Sequence, residues 1–182
     1  PDCRGAGREK KTTKIKVKIP PGVSSGSRLR MSGQGNAGGK GAQTGDLYIF
    51  IEVSASDDFE REGDDVFSQE EISLVQASLG CEIEVKTLDG KVALKIPAGT
   101  QSGTTFRLRA KGITHLESFG RGDHHITIQV KVPEKLKPEE IEALRFFSYL
   151  QGEDFNLTAD EKAQFAKLKD TFKKIKGSMR VD

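Results

Sequence analysis

Tryptophan is absent from the 182 residues, and tyrosine and cysteine occur only twice each. The shortage of large aromatics with polar tips argues against a carbohydrate-binding platform, which needs exposed rings to stack on sugars. Cys3 and Cys81 lie far apart, one in a glycine-rich start and the other in an alternating apolar run, a poor basis for a disulfide framework. A reducing compartment fits better, and Cys81 is expected to be a small buried residue. There is no apolar run long enough to span a bilayer, and the opening residues are polar and basic without the apolar middle of a secretion signal. The expected location is cytoplasmic. Charge of one sign is also missing, because 29 basic side chains interleave with 27 acidic ones for a formal net charge of +2. No strong field draws the chain to nucleic acid or to an anionic membrane, and neither is an expected partner. No serine or cysteine sits in a nucleophile-elbow sequence or in a recognisable arrangement with histidine and carboxylate, so the chain is not expected to be an enzyme.

Glycine is plentiful, at 20 residues, and falls at regular points between alternating apolar runs, as short strands joined by tight turns require. An internal repeat organises these runs. Lys18-Ile19-Pro20-Pro21-Gly22 is echoed by Lys95-Ile96-Pro97-Ala98-Gly99, an offset of about 77 positions. The same offset pairs Gly26 with Gly103, Arg30 with Arg107, Gly35 with Gly112, and Gly45-Asp46 with Gly122-Asp123. Ile49, Ile51 and Val53 fall on Ile126, Ile128 and Val130. Each unit reads as a strand, a proline-glycine turn, a second strand, a loop, and a third strand opened by Gly-Asp. The first unit's strands are expected at about residues 13–19, 28–32 and 46–53, and the second's at 92–96, 105–110 and 124–132. Between the units come an acidic turn at 57–65 and further strands at 66–74 and 82–86, with Asp89-Gly90 supplying a tight hairpin.

Beyond Val132 the period changes to that of a helix. Pro138 at a first helical turn, followed by Glu139 and Glu140 at the positive end of the dipole, starts a helix through about Leu150. Its apolar residues, among them Ile141, Leu144, Phe146, Phe147 and Leu150, spread too widely for one buried stripe, so more than one side must be covered. Thr158-Ala159-Asp160-Glu161 is a capping box for a second helix, with Phe165, Leu168, Phe172 and Ile175 on a narrower face.

Several motifs have bland readings. Gly33-Gln34-Gly35-Asn36-Ala37-Gly38 matches a dinucleotide-binding pattern, but Gly39-Lys40-Gly41 follows where a helix N-terminus should receive the phosphates, so a hairpin loop is expected. His124 and His125 are neighbours on a strand and should face opposite ways, which does not suit chelation of one ion. Arg121-Gly122-Asp123 spells an adhesion tripeptide, yet its Gly-Asp repeats Gly45-Asp46 and reads as a turn. The informative anomaly is residues 47–53, apolar on both faces for most of their length. Either the strand is covered on both sides, or one side is an open apolar groove for another polypeptide, read by side-chain pockets and by backbone pairing at a sheet edge.

The combination resembles the carboxy-terminal region of DnaJ-type J-domain co-chaperones of the zinc-region class. The residues that carry it are Lys16-Val17-Lys18-Ile19-Pro20-Pro21-Gly22-Val23, Gly45-Asp46-Leu47-Tyr48, Phe59-Glu60-Arg61-Glu62-Gly63-Asp64-Asp65, Ala77-Ser78-Leu79-Gly80, Leu88-Asp89-Gly90 and Lys95-Ile96-Pro97-Ala98-Gly99-Thr100-Gln101-Ser102-Gly103. The likeness runs from Cys3 to about Leu150. It implies a mostly β fold of two tandem β-sandwich-like domains followed by a helical dimerisation segment. The expected division is 1–11 as the end of the zinc region and a linker, 12–56 as a partial first domain, 57–134 as the second, and 135–182 as the helical segment and tail. The implied partners are unfolded polypeptides, a DnaK-type chaperone that receives them, and a second copy of the chain. Ile15, Val17, Ile49 and Ile51 are the implied client-contact residues, and Ile141, Leu144, Phe146, Phe147 and Leu150 the dimerisation residues. A β-sandwich module for a small ligand or carbohydrate is the alternative.

Cys3-Arg4-Gly5-Ala6-Gly7 resembles the end of the last zinc motif of that family, without its preceding cysteine; the His-Pro-Asp signature of the J-domain and two early strands of the first domain are also missing. Zinc is expected in the full-length relative and no cofactor in this fragment, because one cysteine cannot supply the four ligands of a structural tetrahedral site. Metal analysis should find no stoichiometric zinc and thiol titration should find Cys3 free. One tightly held zinc per chain, lost on Cys3→Ser, would overturn this.

Overall fold

The structure is a computed structural model that describes residues 12–39, 42–153 and 156–178, so Cys3 lies outside the described residues. It is mostly β with a helical end, as expected. The chain divides into two compact units, Pro1–Lys131 and Val132–Asp182.

The first unit contains both repeats. Its best-buried strand is β8 (His124–Lys131), where His124, Ile126 and Ile128 are wholly buried at alternate positions, the period of a pleated strand. Parallel to it runs β4 (Asp65–Ser73), in register from Val66 opposite His124 to Ser73 opposite Lys131. A parallel pair needs a long crossover. Here the connection holds α1 (Leu74–Leu79), β5 (Cys81–Thr87), β6 (Gly90–Ile96) and β7 (Thr105–Leu108). β7 pairs with the other edge of β8, and the short β3 (Glu60–Glu62) with the outer edge of β4, giving the sheet order β3-β4-β8-β7. The β5–β6 hairpin forms a separate two-stranded sheet whose Val85, Leu94 and Ile96 join Ile72, Ala77, Ile126 and Ile128 in one core. Asp89-Gly90 turns that hairpin, with Gly90 at a φ of 120°.

The first repeat contributes β1 (Arg28–Met31) and β2 (Leu47–Phe50), an antiparallel pair. Register and loop bonds repeat at the same offset as the sequence. Gly26 N–H donates to Ile51 O at 2.9 Å and Gly103 N–H to Ile128 O at 2.8 Å. The Asp46 carboxylate accepts from Gly33 N–H at 3.0 Å, as the Asp123 carboxylate accepts from Ala110 N–H at 2.8 Å. The Gly33 N–H first, and then the Arg30 guanidinium, hold the Asp46 carboxyl below its usual range. This explains the Gly-Asp at the head of each third strand: the aspartate closes the preceding loop.

Several expectations need correction. Residues 13–19 form no ladder, since no described strand stands beside them as β5 stands beside β6. The strands expected at 28–32 and 46–53 are shorter at their ends. Residues 60–62, read as part of a turn, make the edge strand β3. The strand expected at 66–74 stops at Ser73, which caps α1 in a reciprocal box: Ser73 Oγ accepts from Gln76 N–H at 3.1 Å, and Ser73 N–H donates to Gln76 Oε1 at 2.9 Å. Cys81 is half-buried at the margin of the core rather than inside it.

The second unit is a helix pair. α2 (Pro138–Gln151) begins with proline in its first turn and ends at Gly152 in the left-handed conformation, the stop that glycine accepts without strain. α3 (Ala159–Ser178) is opened by the expected box, with Thr158 N–H donating to Glu161 Oε2 at 2.7 Å and Glu161 N–H donating to Thr158 Oγ1 at 3.2 Å. Among the described residues no helix is long and apolar enough to cross a membrane.

His124 is the one fully buried titratable side chain among the core residues of the sheet. Its Nε2 lies 2.8 Å from Ser68 Oγ, its Nδ1 has no hydrogen-bond partner, and burial, then the neighbouring His125, pushes its pKa down. The folded state therefore binds this proton less readily than the unfolded state, whose histidine titrates near 6.5. Stability is complete above that pH and falls as the pH drops through it toward the lower folded value. Thermal unfolding between pH 8 and 5 should show this loss, and His124→Gln should flatten the profile relative to the parent; parallel profiles would show that His124 is not the group responsible.

Candidate functional site

The offset between the repeats allows each position of the first to be compared with its counterpart in the second. Ile49 and Ile51 of the first repeat correspond to Ile126 and Ile128, both at 0% exposure, yet are themselves only half-buried. Val17 and Ile19 correspond to Leu94 and Ile96, at 8% and 1%, and are exposed to 37% and 54%. Ile15 is likewise exposed, where Val92 is half-buried. The side chains are equally apolar, so the difference lies in what covers them. In the second repeat β4, α1 and β5 lie over these positions; among the described residues the first repeat has no counterpart of those elements.

Two consequences follow for the first repeat. Ile15, Val17 and Ile19 are accessible aliphatic side chains in a segment that belongs to no strand or helix, while Leu47 and Ile49 line the half-buried face of β2. Tyr48 and Phe50, on the opposite face, are exposed to 54% and 72%, and Val53 just beyond the strand to 45%. These last three were not among the residues chosen from sequence, although the double-sided apolar pattern of 47–53 was their signal. The second consequence concerns the backbone. Among the described residues β2 pairs with β1 alone, whereas β8 pairs on both edges, so no described strand lies along the second edge of β2.

Other motifs are used up structurally. Arg121 donates twice to the Asp89 carboxylate, at 2.9 and 2.8 Å, and through Nε to Gly112 O at 3.0 Å. Gly122 packs so tightly that a Cβ there would sit 2.1 Å from Asp64 O. The Arg-Gly-Asp tripeptide is therefore a corner of the fold. The histidines go to separate partners, His115 to Asp64 and His125 to a stacking contact with Phe67, and among the described residues no group of donors could hold a metal. A cavity of about 530 Å³ in the second repeat is lined by Asp57, Asp58, Phe59, Glu60, Glu70 and Lys86, a charged setting unlike the aliphatic side chains of the first repeat.

In the helical unit, only one of the five residues singled out from sequence stacks on an α3 aromatic ring. Phe146 turns toward α3, with ring centroids 5.4 Å from Phe165 and 5.9 Å from Phe172, and Tyr149 joins it 5.9 Å from Phe165. Arg145 also faces α3, donating to Glu161 at 2.5 Å. Ile141, Leu144, Phe147 and Leu150 follow one another at three-residue steps, which drift by about 60° each and spread them around the half of α2 away from Phe146, and they are 40–54% exposed.

A family model described as the DnaJ C terminal domain matches residues 4–133. The chaperone protein DnaJ of Halothermothrix orenii is 52% identical over 162 residues, covering 89% of this chain and 43% of the relative. That of Listeria monocytogenes serotype 4a is 49% identical over 175 residues, 95% of this chain and 46% of the relative. That of Opitutus terrae is 52% identical over 151 residues, 83% of this chain and 40% of the relative. The chain thus spans less than half the length of these relatives.

Proposed function

The chain belongs to the DnaJ C-terminal domain family, and on that premise we propose that it holds non-native polypeptides along the first repeat and joins a second copy through α2. The observation that carries the reading is the uncovered apolar surface at positions whose counterparts in the second repeat are core. A client recognised through aliphatic side chains and a free strand edge needs little sequence in common with other clients, because backbone pairing supplies affinity and shallow apolar pockets accept many residues. Ile15 and Ile49 are the main contacts, with Val17 and Ile51 beside them. Release to a DnaK-type chaperone is proposed from the family, and any nucleotide hydrolysis belongs to that partner. A second reading is favoured by the same comparison: Ile49 and Ile51 take the places of Ile126 and Ile128, so further strands of a longer protein would cover them as core.

Capture of a chemically unfolded protein by the parent and by Ile49→Ser separates the two. The client reading expects capture to weaken by about tenfold, the loss of roughly 1.4 kcal/mol at one buried aliphatic contact, with the β1–β2 amides still protected. Unfolding of β1–β2 with no separable binding defect would assign Ile49 to the core instead.

The proposed dimer uses the outer face of α2. Full burial of one such side chain contributes roughly 1.5–3 kcal/mol. Ile141, Leu144, Phe147 and Leu150 from each of two copies, already half-covered, together offset an association cost of about 4–15 kcal/mol over much of its range. Sedimentation should show a dimeric parent and a monomeric Leu144→Asp/Phe147→Asp variant with helicity retained. Phe146 is unsuited to this test because it holds α2 to α3. A monomeric parent, or a variant equally dimeric, would remove this face from consideration.

A further inference from the structure

We propose that Arg61 is a latch that fixes the first repeat on the second, acting with Gly22 as a joint that sets the angle between the two. The covalent link is weak by itself: residues 54–58 are exposed and belong to no strand or helix. Arg61 supplies what the link lacks. Its Nη1 donates to Val23 O at 2.8 Å, and its Nη2 to Gly22 O at 3.0 Å and to Ser24 Oγ at 3.1 Å, all on the proline-glycine turn of the first repeat. Its Nε donates to Gly63 O at 2.7 Å, which ties the same guanidinium to the second repeat beside β3. A planar group with fixed, diverging donors can bridge two backbones in this way, and a lysine ammonium, a point charge with no fork, cannot reproduce it.

The turn also rests directly on the second repeat. A Cβ added at Gly22, where φ is +89°, would stand 2.1 Å from Thr114 O and 3.3 Å from Leu116 N. The counterpart turn provides an internal control. Gly99 has nearly the same φ, +81°, and nothing lies within 4 Å of a Cβ added there. The turn type therefore explains the conformation of both glycines, and only docking explains the close approach at Gly22. The receiving loop is itself braced: Ile113 N–H donates to Asp64 O at 2.8 Å, His115 Nδ1 lies 2.7 Å from Asp64 Oδ2, and Gly122 N–H donates to Ile113 O at 2.9 Å. The latch stands whether or not the first repeat binds clients.

Residual dipolar couplings of the full chain test it. In the parent, amides of β1–β2 and of β4–β8 should fit one alignment tensor. Arg61→Ala should lose the common tensor while hydrogen-exchange protection in β4–β8 is kept, Arg61→Lys should not restore it, and Gly22→Ala should lose it by a route that leaves Arg61 intact. Gly99→Ala, equally strained but free of the clash, should keep one tensor. A single tensor in Arg61→Ala or Gly22→Ala would overturn the proposal. So would loss of β4–β8 protection in Arg61→Ala, which would make the arginine a general fold residue.

Discussion

The rest of the β unit depends on the burial of one face of β8, where His124, Ile126 and Ile128 alternate and have to be covered along their whole length. β8 is flanked by β4 in parallel and β7 in antiparallel register, and its Ile126 and Ile128 meet Val85, Leu94 and Ile96 from the second sheet. The parallel pairing requires the chain to leave and return, and the excursion is what delivers α1 and the β5–β6 hairpin to the core. Burial, pairing and connectivity at β8 are thus one constraint seen three ways.

The first repeat shows what happens to the same pattern without the excursion. Its strand pair keeps the register and the aspartate-closed loop of the second repeat, because those depend on local turns and neighbouring bonds. Its apolar side chains stay accessible, because their burial depends on elements distant in sequence. The helical unit makes a similar division: Phe146 of α2 packs within the chain on Phe165 and Phe172, while Ile141, Leu144, Phe147 and Leu150 stay 40–54% exposed.

Most of the architecture was readable in advance where the cause is local. The 3.6-residue period, Pro138 and the Thr158–Glu161 box determined both long helices; the Asp89-Gly90 turn determined the β5–β6 hairpin; and the glycines in register determined the repeat. Even the unforeseen α1 had a local sign in Ser73 and Gln76. What only the tertiary structure decided was partnership. Residues 13–19 carry a strand's alternation, but a strand exists only when another pairs with it, and no described strand does. Likewise Ile49 and Ile126 are the same residue in the same local sequence setting, and one is half-buried while the other is sealed in the core, because burial is a property of what folds over a side chain and not of the side chain itself.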